Sequence, residues 1–517
     1  MDAETIYRRR WATLAVLSLS LVIIGLDNTI LNVALPTLVR ELGATASELQ
    51  WMVDSYVLVF AGLLLTMGAL GDRFGRKLAL NAGLILFGAA SIAAAYVDTA
   101  TGLIAARAVM GVGGALIMPS TLSIITNVFK GPERGRAIAA WAAVAGLGIV
   151  IGPALGGWLL ENFWWGSIFL INVFVVIAAL VAGWFLVPES KDPETTPLDP
   201  VGAVLSIGGL VALVYGIIEA PAEGWTSGPV LVAFAVAVVT LSLLLWWETR
   251  TEHPMLRLSF FENPRFSAAA GAITLVFFAM FGTVFMLTQY LQFVLEFTPL
   301  QAGIRVMPVA TMVIAAPLSA RLTERFGTKR VVAWGLVIVA GAMSVLATVD
   351  TGSGYGHVAL ALSLLGIGMG TAMAPATDSV MGSLPLAKAG VGSAMNDTTR
   401  QVGGALGVAI LGSILASSYS SAMEPVVGAL PPEAAAAASD SIGGALGVAA
   451  AVGEAAAPLV EAAKSAFIDG MGLAIWVAAG VAFAGAILTW LYLPARPLEE
   501  TSGADEVVAS SPEVNPA

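Results

Sequence analysis

The apolar residues of this chain fall into runs of about 20, separated by short clusters of charge, glycine and proline. A helix rises ~1.5 Å per residue, so one such run crosses the ~30 Å hydrocarbon core of a bilayer. Apolar residues make up 58% of the 517 positions and charged residues 11%, against roughly 45–50% and about 25% in soluble domains. A water-soluble surface cannot be built from that stock. The fold class expected is therefore an all-α integral membrane protein.

Cutting at the charge clusters and Gly/Pro breaks predicts helices over 12–35, 49–70, 78–97, 102–125, 136–160, 165–187, 199–219, 229–248, 266–293, 301–320, 331–349, 357–380, 390–418 and 469–493. An even number of spans puts both termini on one side. The cluster Arg8, Arg9, Arg10 makes that side cytoplasmic by the positive-inside rule. Arg40 and Lys464 then lie outside and Arg107, Arg305 and Arg400 within helices, which leaves 19 of the 24 Lys and Arg in cytoplasmic segments. Twelve or thirteen spans would scatter these charges. The net charge of −11 says less, because several acids sit after Pro494 and in the loop 419–468.

There is no cysteine, and His253 and His357 are the only histidines. Disulfides, thiolate zinc sites and cysteine nucleophiles are excluded, and no metal or cofactor is expected. No G-x-x-x-x-G-K-[ST] loop is present to hold ATP. The start, MDAETIYRRRWATLAVLSLSLVIIGLD, has no small-residue cleavage pattern and is read as a retained first helix.

The chain echoes itself. GDRFGRK at 71–77 returns as TERFGTK at 323–329, and GALIMPSTLS at 114–123 as GTAMAPATDS at 370–379. Two echoes at nearly one offset match helices 1–6 with 9–14, leaving helices 7 and 8 as an insertion. The organisation expected is a six-helix bundle over 1–190, a linker with two inserted helices over 191–262, a second six-helix bundle over 263–495 and a disordered tail over 496–517. Repeated halves of this kind are the architecture of alternating-access transporters, with the site near midplane at the repeat interface.

Four segments carry a resemblance to a known family. They are LDNTILNVALP (Leu26–Pro36), GALGDRFGRK (Gly68–Lys77), Arg107 with the following GVGGALIMPS, and GIVIGPALGG (Gly148–Gly157). Together they resemble the major facilitator superfamily, specifically its fourteen-helix drug:proton antiporters of EmrB/QacA type, over nearly the whole chain. In the loop motif, Gly68 and Gly75 give backbone freedom, and Asp72, Arg73 and Arg76 give charges that can pair with a neighbouring helix end. The resemblance implies a latch in which the Asp faces the N-terminus of a helix in the second half and holds the outward-open state. In helix 5, Gly148, Gly152, Gly156 and Gly157 clear the way for another backbone, and Pro153 bends the helix. The residues alone say packing; the resemblance implies an antiporter signature and export.

An ionisable residue inside a membrane costs at least ~2.5 kcal/mol on insertion scales, so each is a functional candidate. Asp27, Asp54 and Arg107 are expected at similar depth in the outer half of the first bundle, where they could meet. Burial raises a carboxyl's proton affinity and a neighbouring guanidinium lowers it, so a packing change that alters either term couples to protons. In helix 13, Asp397 and Arg400 are three apart and share a face. Their pairing serves burial or a substrate or proton role. Helix 9 carries Phe281, Phe285, Gln289 and Tyr290, which line an adaptable apolar pocket or face lipid. The stretch AAPLVEAAKSAF reads as an amphipathic helix in an external loop 419–468 of no assigned role.

The function expected is export of small amphipathic drugs, antibiotics or related metabolites against protons, across a bacterial cytoplasmic membrane. Its partners are protons, lipid and an amphipathic substrate, for which the intramembrane acids favour a cation while Arg107, Arg305 and Arg400 leave neutral or anionic molecules open; nucleic acid is not one. An uptake symporter or facilitator, or a lipid or fatty-acid translocase, would keep the same fold.

Overall fold

The structure is a computed structural model and describes residues 3–130, 132–191, 198–350, 352–383 and 389–494. The tail from 496, expected to be disordered, lies outside the described residues. Among the described residues, fourteen long helical segments follow one another as α1 (Ala3–Leu42), α2 (Ala46–Phe74), α3 (Arg76–Tyr96), α4 (Ala100–Val128), α5 (Pro132–Asn162), α6 (Ser167–Leu186), α7 (Pro200–Glu223) and α8 (Gly228–Glu248). After them come α9 (Pro264–Val294), α10 (Pro299–Phe326), α11 (Thr328–Ala347), α12 (Tyr355–Gly382), α13 (Ala389–Val427) and α14 (Ala457–Tyr492). Thirteen of these are long and apolar enough to cross a membrane, and α5 is the remaining long helix.

Local chemistry fixes the ends. Thr45 and Glu48 form a capping box at α2, with the Glu48 N–H donating to Thr45 Oγ1 at 3.3 Å and the Thr45 N–H to Glu48 Oε2 at 3.0 Å. Gly75 turns α2 into α3 at φ 128°, and Gly327 turns α10 into α11 at φ 83°. Those values suit glycine, and the two positions occupy the same place in the sequence echo. α10 is broken around Pro308, where a tight turn over Met307–Ala310 separates its two helical pieces.

The two halves pack alike. A Cβ on Gly83 would lie 2.8 Å from the Gly113 carbonyl, joining α3 to α4, while Gly335 sits against Ala372 and Gly368 against Val339, joining α11 to α12. Without a hydrophobic driving force in lipid, such close backbone approach is what binds helices. The inserted hairpin α7–α8 leans on α2 and α13, with Gly62 of α2 against Ile207.

Large apolar side chains cover the outside, among them Phe174, Val238, Ile314, Trp334 and Leu491, all exposed. Trp184, Trp246 and Trp490 ring the end where α1 begins, here the near end; Tyr96, Trp158 and Trp164 ring the far end. Such aromatic belts mark the two interfaces of a multi-pass membrane protein.

The sequence reading is corrected between 419 and 468. α13 runs on to Val427 and α14 starts at Ala457, so AAPLVEAAKSAF opens a spanning helix and is no separate amphipathic one. Two short helices, Pro432–Asp440 and Ile442–Val452, lie between them. Alanine favours helix strongly, whereas scattered Glu and Pro had broken the apolar pattern on which the boundaries rested.

Candidate functional site

Arg107 of α4 and Asp27 of α1 form a fully buried ion pair. The guanidinium Nε also donates to the Met52 carbonyl of α2 at 2.9 Å, and its carbon stands 4.4 Å from the centre of the Tyr56 ring. Asn172 of α6 donates to the other Asp27 oxygen at 3.3 Å. Four helices of the first half therefore meet at this ion pair. In a medium that excludes water, such a pair persists because each charge is met by hydrogen bonds as well as by its counter-ion. Asn172 was not singled out from sequence, although an amide inside the apolar run of α6 falls under the same rule as an intramembrane charge.

Asp54, expected to meet these two, stands apart. Both its carboxylate oxygens are buried without a hydrogen-bond partner. It lies one turn beyond Gln50, whose side chain fits against Gly412 of α13, so the face of α2 that carries both residues turns toward the second half.

In the second half, Arg400 Nη1 is 3.7 Å from Asp397 Oδ1, and its Nη2 donates to Thr377 Oγ1 of α12 at 3.4 Å. The same guanidinium lies 5.6 Å from the centre of the Phe277 ring on α9. Phe281 is buried against Gly404 of α13. Phe285 and Gln289 border a cavity of about 30 Å³ at the far end, room for about two waters and no drug. Tyr290 is buried where α9 ends in a wide turn over Tyr290–Val294.

The glycines of α5 divide between two partners. Gly148, Gly152 and Gly156 lie against α1, at Leu26, Thr29 and Ile30, whereas Gly157 lies against Leu300 of α10. The carbonyl of Pro153 is what a Cβ on Gly303 would strike. α5 is thus wedged between its own half and the other.

Among the described residues, the hydrogen bonds between halves sit at the far end. Gln292 Nε2 donates to the Val33 carbonyl at 2.9 Å and the Leu300 N–H to Glu161 Oε1 at 3.1 Å. Asp440, on a short helix of the second half, accepts from the Ala46 N–H at 2.9 Å, at the start of α2, and Gly443 rests on Val39. At the near end, Asp72 pairs within its own loop, its Oδ1 accepting from Arg76 Nε at 2.6 Å, and Arg76 N–H donates to the Ser190 carbonyl at 2.9 Å. Arg73 is exposed with its guanidinium over Phe74, and Gly68 rests on Pro119 of α4. The halves are closed at the far end, and the loop motif is engaged with its own half.

Residues 17–408 match the family model described as Major Facilitator Superfamily. The chain is 37% identical over 481 residues to the multidrug efflux pump LfrA of Mycolicibacterium smegmatis, covering 92% of this chain and 95% of that one. It is 33% identical over 515 residues to the tetracenomycin C resistance and export protein of Streptomyces glaucescens, covering 97% and 95%. It is also 33% identical to the methyl viologen resistance protein SmvA of Salmonella typhimurium, covering 94% and 98%. Among solved structures, a bacterial homologue of the lysosomal transporter Spinster, inward-facing and unoccupied, matches 95% of this chain and 99% of its own with a TM-score of 0.65 at 17% identity, a likeness of fold.

Proposed function

The chain belongs to the major facilitator superfamily, a transporter and no enzyme, and on that premise we propose that it exports small amphipathic drugs or related metabolites in exchange for protons. The relatives named for multidrug efflux, for tetracenomycin C export and for resistance to methyl viologen, an organic dication, support the substrate class. The observation that carries the coupling is the buried Asp27 carboxylate, tied at once to Arg107 and Asn172.

In this reading both termini are cytoplasmic, the near end faces the cytoplasm and the far end is the closed outer gate. Substrate enters between the halves from the near end. Opening of the far end loosens the packing of α1, α2, α4 and α6 around Asp27 and admits water. A proton then reaches the carboxylate and weakens its hold on Arg107. Closing the far end again carries the proton inward, and Asp27 gives it up as Arg107 re-forms the pair. One charge moving down 100 mV supplies ~2.3 kcal/mol, enough to drive a useful substrate gradient.

Asp54 is the second proton-linked residue, since a carboxyl without partners in a closing interface is stable there only when neutral. Asp397 and Arg400, with Phe277 and Phe281 beside them, form the substrate-facing surface of the second half. The loop motif latches the near end when the far end opens, Asp72 then exchanging Arg76 for a helix N-terminus of the other half. In energised inverted vesicles, the wild-type protein is expected to accumulate a lipophilic cationic dye, and Asp27→Asn to lose proton-linked accumulation. Unchanged transport by the variant would remove Asp27 from the coupling.

A further inference from the structure

The inserted pair α7–α8 carries a second pair of buried acids that the transport scheme does not use. Asp199 caps α7, its Oδ1 accepting from the Gly202 N–H at 2.8 Å and from Trp247 Nε1 of α8 at 2.9 Å. Glu248 ends α8, and its Oε2 accepts from the Leu256 N–H at 3.1 Å, holding the connector 249–263 that leads to the second half. Asp199 is 8% exposed and Glu248 4%.

Each carboxylate has one oxygen left over. Asp199 Oδ2 and Glu248 Oε1 are both buried without a hydrogen-bond partner. Both also lie within 3.0 Å of the point where a Cβ on Gly202 would stand, so they face the same small space, and glycine keeps it open. No ion pair reaches either acid among the described residues. Lys191, Arg250 and Arg257 are the cations nearest along the chain, and they pair with neither. Glu252 and His253 on the connector give them no hydrogen bond, and the connector's contact with α2 is the neutral one between Met255 Sδ and Thr66 Oγ1 at 3.2 Å.

Two ionised carboxylates facing one buried space, with no cation paired to either among the described residues, repel. A divalent ion would ask for about six oxygens, whereas two converge here. We propose that Asp199 and Glu248 share a single proton, as one carboxyl O–H donating to the other's free oxygen, and that this bond fastens the inter-half connector to the inserted helices. Removing the proton leaves two like charges side by side, and their repulsion turns the Glu248 carboxylate out of the shared space and away from the Leu256 N–H. The pair is a near-end pH sensor acting on the linkage between halves, separate from Asp27.

Hydrogen–deuterium exchange on the purified full-length protein tests this, read on peptides covering 250–260 between pH 5 and pH 9 and corrected for intrinsic exchange. Wild type is expected to protect the Leu256 amide at acid pH and to lose protection by about tenfold per pH unit above the titration point. Glu248→Gln and Asp199→Asn each place an amide N–H where the shared proton stood, so both should stay protected across the range. Gly202→Ala, which fills the space, should be unprotected throughout. A flat wild-type profile overturns the proposal, as does a profile in either amide variant that follows wild type. The two amide variants are independent, so failure of one to fold leaves the other to decide.

Discussion

Arg107 reaches from α4 to lay its guanidinium against the Asp27 carboxylate of α1 while its Nε holds the Met52 carbonyl of α2. Removing one partner of a buried pair strands the other charge, at a cost of about 3–5 kcal/mol, whereas replacing both with neutral groups of similar shape costs far less. Arg107→Ala is therefore expected to lower the melting temperature in detergent sharply. The double variant Asp27→Asn with Arg107→Gln should recover most of that loss while still failing to transport. Equal melting of the single and double variants would contradict a stranded Asp27 charge as the source of the loss.

Asp54 behaves differently because its oxygens have nothing to lose. Asparagine in its place keeps a neutral side chain of the same shape, so it should destabilise far less than Arg107→Ala, yet proton-driven dye accumulation should become insensitive to the pH gradient. A variant that keeps the full dependence on the gradient would leave Asp27 as the sole coupling carboxylate of the first half.

The two sets of glycines on α5 make separable predictions. A Cβ at Gly157 would sit 2.5 Å from Leu300 Cα, across the closed far end, whereas one at Gly152 meets a side chain of its own half. Overpacking costs ~1–3 kcal/mol, so Gly157→Ala should shift the protein away from far-end closure and Gly152→Ala should not. The chain has no cysteine, and a Cβ at Gly443 would lie 3.2 Å from Val39 Cβ, close to disulfide range. A Val39→Cys/Gly443→Cys pair should oxidise readily in the parent and Gly152→Ala backgrounds and slowly with Gly157→Ala. Equal rates in all three would contradict the wedge role of Gly157.

The short helices between α13 and α14 should respond to acid. Burial raises the Asp440 carboxyl above the ordinary range, against the opposing pull of the Ala46 N–H and a hydrogen bond from Ser441. The docked state then binds a proton more tightly than the undocked one. Docking is expected to strengthen as pH falls from neutral through the raised value, and to stop changing below the ordinary carboxylate value. Exchange protection of 432–452 followed against pH measures this, and Asp440→Asn should flatten the curve. An Asn variant that titrates like wild type would place the response elsewhere.

Much of this architecture was legible because lipid leaves few solutions. Runs of apolar residues located the spans, and Gly75 and Gly327, matching positions in the echo of GDRFGRK, prove to be turns with positive φ. Asp27 and Arg107 stood out since a charge in an apolar helix needs a reason, and they do meet. The same rule would have found Asn172. The start of α14 was hidden because Ala-rich sequence with scattered acids is a good helix former and a poor hydropathy signal. The split of the α5 glycines was readable in principle, as adjacent residues differ by about 100° around a helix, but which neighbour stands on each face is a tertiary fact. Asp199 and Glu248 are 49 positions apart, and nothing in their spacing announces that they share one space.

The exchange of substrate for protons is tested most directly in liposomes holding the purified protein and a pH-sensitive dye, with a lipophilic cation added on one side under an imposed pH gradient. Substrate uptake is expected to move protons the opposite way, at a rate that follows the gradient, and Asp27→Asn should abolish that flux. Substrate movement without proton flux, or an undiminished flux in the variant, would contradict proton coupling through the Asp27–Arg107 pair.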